Sequence, residues 1–357
     1  MSPLKHGAGA ALLAAALFGA ATPFSKLLLD HVSPAMLAAL LYLGSGLGLW
    51  AFRRWTRATA VELPRAEAGW LAAAILCGGV IAPLLLMAGL QHAPAASASM
   101  LLNAESVLTA LIAWFVFNEN FDRRILLGML FIVAGALVLS LQSEAGLHLQ
   151  PDVSLLLILG ACLAWAIDNN LSRKVSLSDA SWVAMVKGLS AGVTNLALAL
   201  AFGAPLPAPE SIALAGVLGF VSYGASLTLF MLALRSLGTA RTGAYFSVAP
   251  FIGALLSVLV LREPISLQLV IAGVLMGMGV VLHLTERHSH EHTHEAMEHS
   301  HEHVHGDGDP HHEHEHQQAV PPGTRHTHWH RHVPLTHTHE HFPDAHHHHT
   351  HEPPRQQ

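Results

Sequence analysis

Charge is what this sequence has least of: 12% of its 357 residues are Asp, Glu, Lys or Arg, against roughly 25% in an ordinary soluble domain. That scarcity argues against a water-soluble globular fold. Cysteine is almost absent, and both copies, Cys77 and Cys162, fall inside apolar stretches. They read as small buried hydrophobes, with no disulfide framework and no information about redox compartment. The chain carries no H-E-x-x-H helix, no phosphate-cradling loop and no nucleophile and base pair, so nothing in it points to an enzyme. Nothing points to nucleic acid either, and the sequence is silent on oligomeric state.

What is present is hydrophobicity in long runs, with 52% apolar residues. Ten stretches of helix length follow one another at 8–28, 35–52, 69–90, 95–117, 124–141, 153–171, 182–203, 211–234, 240–261 and 266–284. A helix rises about 1.5 Å per residue, so each is long enough to cross a hydrocarbon core of about 30 Å. Helix punctuation falls between many of them, as at Ser33-Pro34, Ala93-Pro94 and the segment holding Pro205, Pro207 and Pro209. The first stretch follows Lys5 and is read as an uncleaved first helix, since nine more spans follow it.

Lys and Arg decide orientation. With the N-terminus in the cytoplasm, Lys5, Arg53, Arg54, Arg57, Arg65, Arg123, Arg124, Arg173, Lys174, Arg235, Arg241 and Arg287 fall inside, and Lys26 and Arg262 outside. Both termini are therefore expected to be cytoplasmic. A shift of 144 residues places Met87, Leu90, Ala96, Ala110, Leu111, Val116, Glu119 and Gly135 on Met231, Leu234, Ala240, Ala254, Leu255, Val260, Glu263 and Gly279. A shift of 147 places Phe18, Ser25 and Lys26 on Trp165, Ser172 and Arg173. Each half is thus a five-helix unit. Five is odd, so the second unit must be threaded the opposite way, the inverted repeat of secondary transporters.

The expected architecture is an all-α integral membrane protein of ten transmembrane helices in two inverted five-helix repeats. Residues 1–141 form the first repeat, 142–152 a linker and 153–284 the second. A disordered His-rich cytoplasmic tail follows over 285–357.

An ordered set of residues gives this pattern a likeness. Leu17-Phe18-Gly19 with Ser25-Lys26, the run 87–96, and Asn118-Glu119 followed by Gly128 and Gly135 stand in the first half. Trp165 with Ser172-Arg173-Lys174, the run 231–240, and Arg262-Glu263-Pro264 followed by Gly273 and Gly279 stand in the second. Over residues 7–284 the chain resembles the drug/metabolite transporter superfamily, and within it the EamA-type proteins of ten helices. The resemblance implies an inner-membrane carrier, most often an exporter of amino acids, other small metabolites or drugs, driven by ion or substrate gradients and needing no cofactor. The tail lies outside that pattern.

The fourth stretch carries one carboxylate near its middle, Glu105. A charge at the bilayer centre costs about 2.5–3.5 kcal/mol on insertion scales, so it must face other helices or a cavity. It reads either as a protonatable or cation-pairing site group or as a packing carboxylate bonded to Asn103, Ser106 or a neighbouring helix. Asn103, Tyr42, Ser222, Tyr223, Tyr245 and Ser247 are candidates to line the same cavity and contact a small-molecule substrate. Asp168 and Lys187 sit on helices joined by a short loop and are expected to pair, as a cytoplasmic gate or as a static neutralisation. Glu119 and Glu263, at mirrored helix ends, read as structural.

The tail differs in kind. Of 29 histidines, 24 lie between His288 and His351, and the last 73 residues hold 4 Lys/Arg against 12 Asp/Glu. Histidine alternates with other residues through His288, His290, His292 and His294, through His299, His301, His303 and His305, and through His326, His328, His330 and His332. Neutral imidazole ligates Zn, Ni, Co and Cu, so the tail reads either as a cytosolic collector or sensor of a divalent transition metal or as a tolerated low-complexity extension. Three functions are open: secondary export of a small organic metabolite; as the alternative, transition-metal efflux or metal-regulated transport; and a membrane sensor that transports nothing and signals metal status through its tail. The membrane part holds no cluster of His, Cys and carboxylates at one depth, which favours the first.

Overall fold

The structure is a computed structural model that describes residues 3–58, 61, 63–117, 123–140, 153–172, 179–237, 242 and 245–284, and, in the tail, 289–294, 297–304, 325–332 and 335–340. The chain separates into two units, Met1–Glu286 and Arg287–Gln357. Every regular element among the described residues of the first is a helix. Its elements are α1 (Pro3–Gly19), α2 (Ala21–Leu28), α3 (Pro34–Trp55), α4 (Arg65–Ala74), the π-helix π1 (Ile75–Ile81), α5 (Ala82–His92), α6 (Ala95–Leu101), α7 (Ala104–Phe117), α8 (Arg123–Ser140), α9 (Val153–Ser172), α10 (Ala180–Ala201), α11 (Pro209–Gly219), the π-helix π2 (Phe220–Ala225), α12 (Ser226–Leu237), α13 (Ala249–Leu261) and α14 (Leu267–Leu284).

Eight helical runs are long and apolar enough to cross a membrane, and two shorter apolar helices, Ala249–Leu261 and Leu267–Leu282, follow them. The eight match the first eight sequence stretches. In the ninth stretch, expected over 240–261, Thr242, Tyr245 and Phe246 are helical, and α13 resumes from Ala249 for about 20 Å at helical rise. A turn at Ser247 and Val248 precedes it.

Several expected spans are not plain helices. The first breaks between α1 and α2, the third passes through π1 and the eighth through π2. The fourth is interrupted at Leu102–Asn103, where the Asn103 and Glu105 amides donate to the Met100 and Leu102 carbonyls in tightened turns. Glu105 therefore lies in the first turn of α7, not in the middle of a continuous helix. The unsatisfied amides of a helix start carry a partial positive charge, which favours a carboxylate there.

Which face of each helix meets lipid is legible in α8. Leu126, Leu127, Leu130, Val133 and Leu137 are exposed, while Gly128, Met129, Ile132 and Gly135 on the opposite face are buried. Apolar side chains gain nothing by leaving lipid for protein, so helix association rests on close packing of small residues. In α3, a Cβ at Gly46 would fall 2.5 Å from the Leu189 amide nitrogen of α10, and one at Gly188 would fall 2.8 Å from the Gly46 nitrogen. These facing glycines let α3 and α10 meet backbone to backbone.

Packing runs between the two halves of the chain. α3 packs on α10 and α11, α8 on α14, α1 on α12, α5 on α9, and α6 on α13. One buried apolar cluster joins Met36, Leu37 and Leu41 of α3 to Leu86 and Leu90 of α5 and Ile158 of α9. Another joins Met100, Val107 and Ile132 to Met276 and Val280.

In the tail the described residues form four strands: β1 (Ser289–His294), β2 (Met297–Val304), β3 (Arg325–His332) and β4 (Leu335–Glu340). β1 pairs antiparallel with β4, and β2 with β3. The physical reason lies in the repeat itself, since alternation at every second residue is the period of a strand. His288 and His305 lie outside the described residues.

Candidate functional site

The site is built where the start of α7 meets the end of α9. Glu105 is half-buried, and its Oε1 accepts a hydrogen bond from Asn169 Nδ2 at 2.8 Å. The same Asn169 amide donates to Thr109 Oγ1, one turn further along α7, at 3.3 Å. Asn170, beside it, donates to the Thr109 carbonyl at 3.2 Å and ties α9 to α7. Glu105 thus bonds to a neighbouring helix and not to Asn103 or Ser106. The buried Asn103 donates to the Met100 carbonyl at 3.0 Å, and Ser106 donates to the Asn103 carbonyl at 2.7 Å. Asn103 holds the helix break.

One residue before Asn169, Asp168 pairs with Lys187 of α10. The Lys187 ammonium lies 2.6 Å from Oδ1 and 2.7 Å from Oδ2, and the Ser172 hydroxyl donates to Oδ1 at 2.8 Å. The Asp168 carboxylate presses against Gly78 of π1, where any Cβ would overlap it. The Gly78 carbonyl accepts from Tyr42 Oη at 2.8 Å and from Trp165 Nε1 at 3.0 Å. The Gly79 carbonyl accepts from the buried Asn195 at 2.9 Å. A π-turn weakens the regular ladder and presents carbonyls to other donors, and here three side chains supply them.

Tyr42 joins this centre to an aromatic group. Its ring centroid is 5.7 Å from that of Tyr223, which meets Phe18 edge-on at 5.8 Å. Ser222, next to Tyr223, is fully buried, and its hydroxyl has no partner among the described residues. Tyr245 is exposed, and Ser247 is half-buried in the turn before α13. The structure therefore brings together Glu105, Asp168, Lys187, Tyr42 and Tyr223. Asn169, Thr109, Trp165 and Gly78 complete the group. They are ordinary residue types in apolar runs, and only the α7 to α9 and π1 to α9 packing reveals them.

A second polar centre closes the turn between α5 and α6. Lys26 Nζ donates to the Leu90, Gln91 and Ala93 carbonyls at 2.7–2.9 Å. Glu263 accepts from the Ala95 and Ala96 amides at 2.7 and 2.8 Å and so caps the start of α6. A cation on helix-end carbonyls and an anion on helix-start amides are both favourable arrangements. Glu119 lies outside the described residues.

Among the described residues no group of three or more His, Cys, Asp or Glu is arranged to hold a metal ion. In the tail, strand register sets His290 against His339, His292 against His337, His299 against His330, His301 against His328 and His303 against His326. His294 faces Leu335 and His332 faces Met297.

Comparison with known proteins agrees with a carrier. An uncharacterized transporter of Methanothermobacter thermautotrophicus is 27% identical over 288 residues, 76% of this chain and 84% of that relative. A probable amino-acid metabolite efflux pump of Salmonella typhimurium is 34% identical over 82 residues, 23% of this chain and 27% of the relative. A probable 4-amino-4-deoxy-L-arabinose-phosphoundecaprenol flippase subunit ArnE of Pseudomonas paraeruginosa is 45% identical over 74 residues, 21% of this chain and 62% of the relative. A solved crystal structure covers 77% of this chain and 95% of its own at 19% identity with a TM-score of 0.58, a likeness of fold. The pattern of the EamA-like transporter family matches residues 5–141 and again residues 153–285. The chain is a multi-span membrane protein that belongs to the EamA-like transporter family.

Proposed function

We propose that this chain is a secondary transporter of the inner membrane that exports a small organic metabolite bearing an ammonium group, by alternating access between two inverted halves. The observation that carries the substrate class is the pairing around Glu105. Its described partner is the neutral Asn169 amide, while the nearby Lys187 is engaged by Asp168. A substrate ammonium or a proton would supply the missing positive charge. Two relatives carry names that describe amino-bearing cargo, which is in keeping with this reading. The Tyr42 and Tyr223 rings offer apolar and cation-accepting surface beside the carboxylate.

Alternating access asks that each half close one side in turn. Support comes from corresponding irregularities: π1 at 75–81 and π2 at 220–225, and turns at 102–103 and 247–248, all related by a shift of 144 or 145 residues. Lys and Arg distribution supports cytoplasmic termini. The test is flux of amino acids and small amines in proteoliposomes holding the full chain. Uptake or counterflow of at least one amine, lost in Glu105→Gln, is expected. Transport of anions or neutral solutes alone, indifferent to Glu105, would remove the reading.

A second reading attaches to the tail. The five opposed histidine pairs favour binding of Zn, Ni, Co or Cu there, as a collector or sensor for metal-linked transport. Metal content of cells lacking the protein, complemented with the full chain or with residues 1–285, tests that role. Equal content with both would dismiss it.

A further inference from the structure

The C-terminal end of α3 and the start of α10 enclose a cleft that the transport reading does not use. It is lined by Trp50, Arg53, Arg54, Arg57, Trp182 and Met185, and has a volume of about 320 Å³. Arg53 is buried and committed. Its guanidinium donates to Ser181 Oγ and lies 3.0 Å from Asp179 Oδ1. Asp179 in turn caps α10, accepting from the Trp182 amide at 3.0 Å. Arg54 and Arg57 line the same cleft, are exposed and have no acidic partner among the described residues. Arg54 and Arg57 therefore bring two uncommitted guanidiniums to the cleft among the described residues.

The backbone aims the charge. Arg57 stands at φ 51° just beyond α3, and the Ala58 amide closes the helix by donating to the Arg53 carbonyl at 3.0 Å. That left-handed position suits glycine, and an arginine occupies it here. Below the arginines, Trp50 is 54% exposed and Trp182 half-buried, the indoles that mark a membrane–water boundary. A cationic rim above an apolar, indole-lined floor at that boundary matches one ligand chemistry: a phosphodiester headgroup whose acyl chains continue into the bilayer. A soluble metabolite would have no use for the floor, and a zwitterionic lipid would bring its own cation against the arginines.

We propose that this cleft binds the headgroup of an anionic phospholipid, the phosphate held between Arg54 and Arg57 and the upper acyl chain laid along Trp50, Trp182 and Met185. The lipid would bridge α3 and α10, the helices that meet across the two halves. Basic pockets between membrane helices favour anionic headgroups at the cytoplasmic face, and bidentate guanidinium geometry suits a phosphate.

The test uses the full chain in phosphatidylcholine vesicles, with tryptophan fluorescence as readout. A minor fraction of either phosphatidylglycerol or phosphatidylcholine is brominated on the acyl chains as quencher. At equal mole fraction, brominated phosphatidylglycerol is expected to quench at least twofold more strongly than brominated phosphatidylcholine. The excess should fall away in R54Q/R57Q, persist in large part in R54K/R57K, and be unchanged in R123Q/R124Q. Equal quenching by the two lipids in the wild type, or an excess that survives R54Q/R57Q, would overturn the proposal. So would loss of the excess on adding soluble inorganic phosphate at millimolar concentration, which would assign the cleft to a free anion.

Discussion

At the scale of single residues, the arrangement turns on which charges have partners. Glu105 has a neutral donor, so its replacement by Gln leaves the Asn169 and Thr109 contacts spatially possible while removing the charge. A hydrogen bond to a charged group contributes about 1.5–3 kcal/mol, which corresponds to roughly 10- to 100-fold in substrate affinity. Glu105→Gln should therefore keep its expression and thermal stability in detergent yet weaken amine binding by that range, as read by equilibrium binding or flux. Asp168 and Lys187 behave differently, because each neutralises the other in a low-dielectric setting. Removing one partner of a buried pair costs about 3–5 kcal/mol, and removing both costs less. Asp168→Asn and Lys187→Gln alone should each lower the melting temperature in detergent more than the double variant D168N/K187Q does. A double variant as damaged as the sum of the singles would show that the two charges do not act as a pair. A charge swap is not the cleaner test, because Gly78 packs against the Asp168 carboxylate and leaves no room there for a lysine.

At the scale of elements, π1 and the cap of α10 are the parts most open to a single change. Gly78→Ala would drive a methyl into the Asp168 carboxylate, and the carbonyl at that position also holds Tyr42 and Trp165. Overpacking of this kind costs about 1–3 kcal/mol before the loss of the ion pair is added. A variant as stable as the parent would mean that π1 yields easily. The α10 cap gives a pH signature. Burial pushes the Asp179 carboxyl up, but hydrogen bonds from Ser181, Arg53 and the Trp182 amide outweigh it and hold the group below its ordinary value. A lowered folded value means that the stabilisation is complete above the ordinary carboxylate pKa of about 3.9 and is lost as pH falls through the lower folded one. Asp179→Ala should cost about 1 kcal/mol near neutral pH, the usual loss for an N-cap. The gap from wild type should close in the most acidic melts. These elements also mark where the sequence stops being legible. Eight spans were readable because hydropathy is a property of twenty residues together. The break at Leu102–Asn103 was not, since Met100-Leu101-Leu102 is an unbroken apolar run with no Gly or Pro to announce it. For Glu105 the sequence offers Asn103, Ser106 or a neighbouring helix as partner, and the one it has lies 64 residues away on α9. In the tail a period of two is plain in the sequence, but not which strand pairs with which, since β2 and β3 join residues some 20 to 35 apart.

At the scale of the whole molecule, the two-fold pattern makes a demand that no single site makes. If the halves are inverted copies, what closes one face in the first must have a counterpart that closes the other face in the second. The clamp on the turn between α5 and α6 joins Lys26 and Glu263 to five backbone groups. The shift of 144 residues that carries Glu119 onto Glu263 also carries Ala96 onto Ala240, so Glu119 is the sequence counterpart of the capping carboxylate. Loss of a charge at a partly buried helix start weakens that end by up to about 2 kcal/mol, enough to shift a two-state equilibrium by up to roughly 30-fold. A single cysteine at Thr109, beside Glu105, in a chain with Cys77 and Cys162 replaced by Ala, would report which side reaches the centre. Glu263→Gln should speed labelling by a membrane-impermeant maleimide from the outer face and slow it from the inner. Glu119→Gln should do the reverse. Opposite signs are what inversion requires, because the same lesion is then made on opposite faces. Equal signs would mean that the halves are copies threaded alike, or that one of the two carboxylates is no latch, and alternating access by mirrored closure would have to be given up.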